Sequence, residues 1–312
     1  LFCSNYCILS IFYIYLKLYE NYTKKIEQKL KKNQKSNANV YIVISSFKSY
    51  YKNMGKFFFC NALIFSVKPS KENQSTVCFL SENEGISFAT LYGGSKSRLK
   101  SLVSPWNSGT IYLSKSNTGS FFKINDFEPL KYHLSFREDI YKFLAASMAA
   151  EIVINTNCSA SYEKSWYLLN GFLDGLDLCR EKKQSELGLY RFLWRYLDLS
   201  GLKPETSFCS YCTKDFNTKS QNDNFSFFLK NEQNIVCSEC FFHEFPEERD
   251  FIPIENKTLN YLNAITELKP KKTRKNFHEE KNIQEIKHLI FYLIENINQK
   301  PLKTLETGKG IL

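Results

Sequence analysis

The chain has 312 residues, 16% of them aromatic, with 42 Lys and Arg against 32 Asp and Glu and a formal charge of +10 at pH 7. That length supports a sizeable core shared between two domains, and the ordinary apolar fraction describes a soluble globular protein and excludes a chain built of membrane spans. Basicity alone does not point to nucleic acid: residues 1–53 hold 9 Lys and 2 Glu and so carry +7, leaving only +3 for the rest, and local clustering has to carry that inference.

The head combines an apolar run, Ile8–Leu16, with a lysine-rich stretch, Lys24–Lys32. The run is shorter than the roughly 20 residues a bilayer span needs, and the positive charges follow it instead of preceding it as in a signal peptide. With Met54 as the expected start, residues 1–53 are read as non-native upstream sequence or a disordered extension.

From 56 to 130 the pattern is of short β-rich runs: Leu63–Val67, Thr76–Leu80, Ile86–Tyr92, Thr110–Leu113 and Phe121–Ile124. Glu84-Gly85, Gly93-Gly94, Pro105 and the turn at Asn117–Gly119 punctuate them. Five such strands suit a small barrel over 54–132, of OB or SH3-like type, with the OB-fold expected.

After residue 134 the period becomes helical. Ser135 with Glu138 reads as a capping box ahead of Ile140, Leu144, Met148 and Ile152. Two more helices carry Trp166, Leu169, Leu173 and Leu176, then Leu187, Tyr190, Trp194 and Leu197; these stripes read as core. Gly201 and Pro204 end the third helix, and a last amphipathic helix carries Ile283, Ile286, Ile290, Leu293 and Ile297. The fold class expected is therefore α+β and multidomain: an OB-like barrel, then an all-helical domain over 133–312.

Inserted in that domain, at 205–245, are Cys209/Cys212 and Cys237/Cys240, two Cys-x-x-Cys pairs separated by 24 residues. Each pair turns two thiolates toward one point, and four sulfurs satisfy tetrahedral Zn²⁺ with no position open to substrate, so a structural zinc ribbon is expected. Phe225–Leu229, a turn at Lys230–Gln233, and Asn234–Val236 form the ribbon that returns the second pair to the first. Paired disulfides would need an oxidising compartment, and a thioredoxin-like site a Cys-x-x-Cys opening a helix in a βαβ unit. The other six cysteines, at positions 3, 7, 60, 78, 158 and 179, read as small apolar residues.

Lys96, Arg98 and Lys100 alternate with Ser97 and Leu99, so an extended backbone points all three cations to one side, beside Leu102 and Trp106. Such a rim tracks a single strand by charge and stacking; an ordinary basic loop is the competing reading. The run Lys269–Lys275 reads as a solvated linker in preference to a phosphate-contacting patch. His133, His243, His278 and His288 belong to no recognisable nucleophile motif, His243 being at most a substitute metal ligand, and Gly93-Gly94 lacks the Lys and Ser/Thr of a P-loop. An enzyme is not expected.

Three stretches resemble the bacterial RecO family of DNA repair proteins: Gly93–Trp106; Phe192–Pro204 followed by Cys209–Cys212; and Asn298–Lys303. The resemblance spans roughly 54–312 by the order of its parts. It implies a cytoplasmic, nucleoid-associated protein that binds single- and double-stranded DNA and anneals complementary strands. It also implies contact with single-stranded-DNA-binding protein and work with RecR, often with RecF, to load the RecA recombinase. Lys96 and Arg98 are carried over as DNA contacts, with Lys100 added from its spacing, and the four cysteines as zinc ligands. The alternatives are a zinc-ribbon interaction module of transcription or translation that binds RNA or protein, and a thiol-disulfide enzyme.

Overall fold

The computed structural model describes residues 57–312 except 95, 116–121, 160, 217–223, 274–279 and 298–300. The head, the turn at 117–119, Phe121, His278, part of the basic run and the start of the last resembling stretch lie outside the described residues. Five strands, β1 (Phe57–Lys71), β2 (Gln74–Ser81), β3 (Gly85–Tyr92), β4 (Ser108–Lys115) and β5 (Phe122–Lys131), close into a barrel of order β1-β2-β3-β5-β4. All pairs are antiparallel except β3 with β5, the single parallel ladder that closes an OB-like barrel. β1 is long because it pairs with both β2 and β4, and register shifts at Ile64/Ser66 and Pro69/Lys71 bend it to do so. Gly109 permits the close approach of β4 to β5: a Cβ there would lie 2.1 Å from the Glu128 carbonyl oxygen.

Strand periodicity is clean where one face is wet and lost where both are covered. Ala62, Ile64, Val77, Phe79, Ala89 and Leu91 fill the barrel. The alternate residues Leu63, Phe65, Cys78 and Leu80 face outward yet are buried, because they join the core of the helical body. A continuous apolar run such as 62–65 is the signature of a strand buried on both faces.

The helical body starts with a 3₁₀ turn (Leu134–Arg137) and then α2 (Ile140–Asn155), α3 (Tyr162–Leu178) and α4 (Lys182–Leu199), a one-turn α1 (Arg98–Leu102) having preceded them between β3 and β4. α2 is buried nearly all round through Ala145, Ala146, Met148, Ala149 and Ile152, as the central helix of a bundle must be. Its cap differs from the sequence expectation. Asp139, not Ser135, accepts the Lys142 backbone N–H at 3.1 Å, while the Ser135 hydroxyl donates to Asp177 at 2.6 Å. Asp139 stands directly before the first helical residue, the position from which a carboxylate reaches the first turn. Lys142 is buried and satisfied by the carbonyls of Cys179 and Asp177 and the Ser135 hydroxyl.

After Gly201, which takes φ +71° at the end of α4, the chain forms β6 (Phe225–Leu229), β7 (Asn234–Cys237) and α5 (Ser238–Glu244). It continues through β8 (Phe251–Glu255), α6 (Asn256–Glu267), α7 (Pro270–Thr273), α8 (Glu280–Ile297) and α9 (Lys303–Thr307). The ribbon is thus an antiparallel sheet of order β7-β6-β8. β8, α6 and α9 were not read from the sequence. The supposed linker 269–275 begins as a helical turn, where Arg191 donates to the Thr273 hydroxyl at 3.1 Å and to the Leu268 carbonyl.

Glu255 fastens the ribbon to the helices. It accepts from Lys281 and, at 3.0 Å each, from Asn282 and Lys257, while Glu285 accepts its backbone N–H. Burial alone would raise its pKa, but these donors overcome that and hold it down to about 2. A carboxyl depressed in the folded state stabilises the protein above its unfolded pKa near 4.3, and the contribution is lost as pH falls through 4 toward 2. Glu255→Gln is expected to lower stability by about 2 kcal/mol at pH 7 and by about half as much at pH 3; equal losses in urea melts at both pH values would refute that assignment.

Candidate metal centre and nucleic-acid interface

Two short loops bring the four cysteines together. Cys209 begins a knuckle in which Thr213 donates its N–H to the Cys209 carbonyl at 2.9 Å and takes a left-handed φ of 60°. An isolated bridge between Phe208 and Asp215 closes it. The hairpin β6–β7 supplies the other half, since Ser210 N–H bonds the Ile235 carbonyl at 2.9 Å and so pins the knuckle to β7. Cys237 ends β7 and caps α5, accepting from the Cys240 N–H.

The four Sγ atoms all lie within 4.8 Å of one another, with Cys212 and Cys237 Sγ 3.7 Å apart. A regular tetrahedron with Zn–S bonds of ~2.3 Å has edges of about 3.8 Å, whereas a disulfide needs ~2.05 Å. The spacing fits four thiolates about one cation. The electrostatics agree. Burial opposes charge on Cys209, but the N–H groups of Cys212, Cys237 and Tyr211 reach its sulfur and bring the thiol down to about 7. Burial and the neighbouring sulfurs push Cys237 and Cys240 up instead. One thiolate therefore discourages the next until a dication balances them. Among the described residues this is the one cluster of metal-ligating groups, and exposed His243 is not part of it.

The second Cys-x-x-Cys does open a helix, one of the two features a thioredoxin-like site needs. Its sheet is wholly antiparallel and lacks the βαβ unit, and the Cys212 sulfur lies 3.7 Å from that of Cys237, so the second pair is not isolated from the first.

The basic segment departs from the extended form expected of it. Ser97 accepts the Lys100 N–H at 3.4 Å and starts α1, with Leu99 and Leu102 turned onto the barrel core. Gly93, at φ +146°, makes room for that cap, since a Cβ would meet Ser97 Oγ at 2.6 Å. At about 100° per residue, Arg98 and Lys100 project on opposite sides of the helix. Lys96 and Arg98 are exposed and Lys100 is half-buried. Trp106 is corrected too. It is only 7% exposed, its backbone N–H donates to the Ile64 carbonyl at 2.8 Å, and its ring packs edge-on against Phe136 and Phe143. It wedges the barrel against the helices and offers no face to a base.

A closed five-stranded barrel with a basic turn, continuous with a helical body that carries a four-cysteine knuckle, defines a two-part OB-like protein. The family model described as "Recombination protein O C terminal" matches residues 137–306, more than half of the chain. The chain belongs to the Recombination protein O family, and its role lies in DNA recombination and repair. No curated protein matches it.

Proposed function

We propose that this chain is a recombination mediator that binds single- and double-stranded DNA and anneals complementary strands without ATP. With RecR, and with RecF, it helps to load RecA onto DNA coated by single-stranded-DNA-binding protein. It acts in the cytoplasm at the nucleoid and is not an enzyme. The observation that carries this reading is the union in one chain of the family's C-terminal domain with an OB-like barrel whose α1 turn exposes Lys96 and Arg98. Phosphate contacts from these two cations hold one strand and screen its charge, so that a second strand can pair with it, while Lys100, on the other side of α1, adds positive charge nearby. Zinc on Cys209, Cys212, Cys237 and Cys240 serves as structural support for the ribbon.

The test is annealing of complementary strands by the full chain, bare and coated, across a salt series. Lys96→Ala with Arg98→Ala should reduce the slope of log K against log salt by about 1.4, because each single-strand phosphate contact contributes about 0.7. Both side chains are exposed, so the melting temperature should not move. Failure of the folded wild-type chain to bind any DNA would overturn the reading.

A further inference from the structure

One face of the barrel combines features that neither the cysteine ribbon nor the α1 turn uses. On β3, Ala89 and Leu91 point into the barrel, so Phe88, Thr90 and Tyr92 point out, with Phe88 58% and Tyr92 46% exposed. The ladders extend this outward face across four strands. Thr90 pairs with Thr76 of β2 and Lys123 of β5, and Thr76 pairs with Lys68 of β1. A row Lys68–Thr76–Thr90–Lys123 therefore crosses the sheet with a lysine at each end. The row beside it runs Lys71–Gln74–Tyr92, and the row on the other side Ser66–Cys78–Phe88. No Asp or Glu occupies any of these register positions. By contrast, the outward face of β4 and β5 carries Tyr112 bonded to Glu128, with Asp126 opposite it in the ladder.

Large exposed aromatics on a strand are a cost to solubility unless something stacks on them. Here the two rings lie four residues apart on one face, about 13 Å along the strand. Lysines flank them: Lys123 Nζ, on the adjacent β5, lies 5.4 Å from the Tyr92 ring centroid, and Lys68 and Lys71 stand on β1, two strands away across β2. Tyr92 also leads straight into Gly93, Gly94 and the Lys96/Arg98 turn. Stacking rings within a frame of cations match single-stranded nucleic acid, whose unpaired bases need flat apolar partners and whose phosphates need positive charge. A duplex, with its bases stacked internally, gains nothing from the rings. The outward face of strands 2 and 3 is also the face on which OB barrels take oligonucleotides.

We infer that Phe88 and Tyr92 form a base-stacking platform for single-stranded DNA, with Lys68 and Lys123 holding the phosphates on either side and Lys96 and Arg98 continuing the track. This rests on the DNA-binding reading above and adds to it the residues that distinguish single strands from duplex.

Binding of the full chain to oligo(dT), to an abasic oligomer of equal length and to a duplex tests it. Phe88→Ala with Tyr92→Ala should weaken oligo(dT) binding by at least tenfold, while abasic and duplex binding change less than twofold and the salt slope is kept. Phe88→Trp with Tyr92→Phe should restore oligo(dT) affinity. If the folded alanine variant binds oligo(dT) as the wild type does, the platform is refuted while DNA binding by the α1 turn stands. If the wild type binds none of the three, both readings fall. A self-association that the alanine variant abolishes, with oligo(dT) binding unaltered, would assign the face to a second copy of the chain and refute the platform.

Discussion

Replacing Cys237 with serine is expected to strip the protein of its metal and to unfold the ribbon, with a loss on the order of 5 kcal/mol or more. Cys237 is the residue on which the site turns. Its sulfur lies 3.7 Å from that of Cys212 and receives the Cys240 N–H, and its own N–H donates to Cys209 Sγ at 3.3 Å. Structural zinc in small ribbons supplies roughly 10–16 kcal/mol of apparent binding free energy, most of which is folding free energy because no site exists in the unfolded chain. The loss should spread beyond the ribbon, since Phe228, Ile235, Ile252 and Ile254 belong to the same core as the helices. Wild-type protein should contain one zinc per chain by atomic absorption, Cys237→Ser none, and chelation should lower the melting temperature of the wild type toward that of the variant. A metal-free wild type that forms a reversible disulfide and melts like the variant would instead favour thiol exchange.

The second large effect is at Trp106. Trp106→Ala should cost about 3–5 kcal/mol, the usual result of emptying a buried aromatic site. The ring stacks edge-on with Phe136 at 6.1 Å and Phe143 at 6.3 Å, while the backbone on either side hydrogen-bonds Ile64 of β1. His133 reinforces the same junction, its ring bridging the Trp106 carbonyl at 2.7 Å and the Asp174 carboxylate at 3.0 Å. The expected outcome is a barrel loosened from its helical support, read as a lower midpoint in denaturant. Oligonucleotide affinity measured below that midpoint should be unaltered. A stable variant with impaired oligo(dT) binding would restore the rim role that Trp106 is given by its place beside the basic segment in the sequence.

What was legible in the sequence was local. The five strands declared themselves because alternation with turn residues is a property of neighbouring positions, and the three long helices because Leu169, Leu173, Trp194 and Leu197 repeat at helical spacing and are indeed buried. The four cysteines could be read together because each Cys-x-x-Cys is a self-contained knuckle; only their convergence needed the hairpin between them. The resembling stretches carried the family, which the match over 137–306 bears out.

What remained hidden depended on contacts between distant positions. Ser135 looked like a cap but is held by Asp177, 42 residues on, which leaves Asp139 to cap α2. β8 and α6 escaped notice because β8 is a short strand defined by pairing with β6, and α6 by packing on α4, where Trp194 donates to Thr266 at 3.0 Å. The segment 96–100 reads equally as strand or turn until Gly93 makes space for the Ser97 cap. Trp106 and Phe88 show the same division most sharply. Composition makes each a candidate for the core or for a ligand, and only the closure of the barrel and its seating on the helices bury the first and expose the second. Chain-local chemistry, thiol spacing and hydrophobic period determined the barrel strands, the long helices and the four-cysteine cluster. Which aromatic and basic groups reach solvent was decided by the tertiary structure, because exposure is a property of the far side of a residue's neighbours and not of the residue itself.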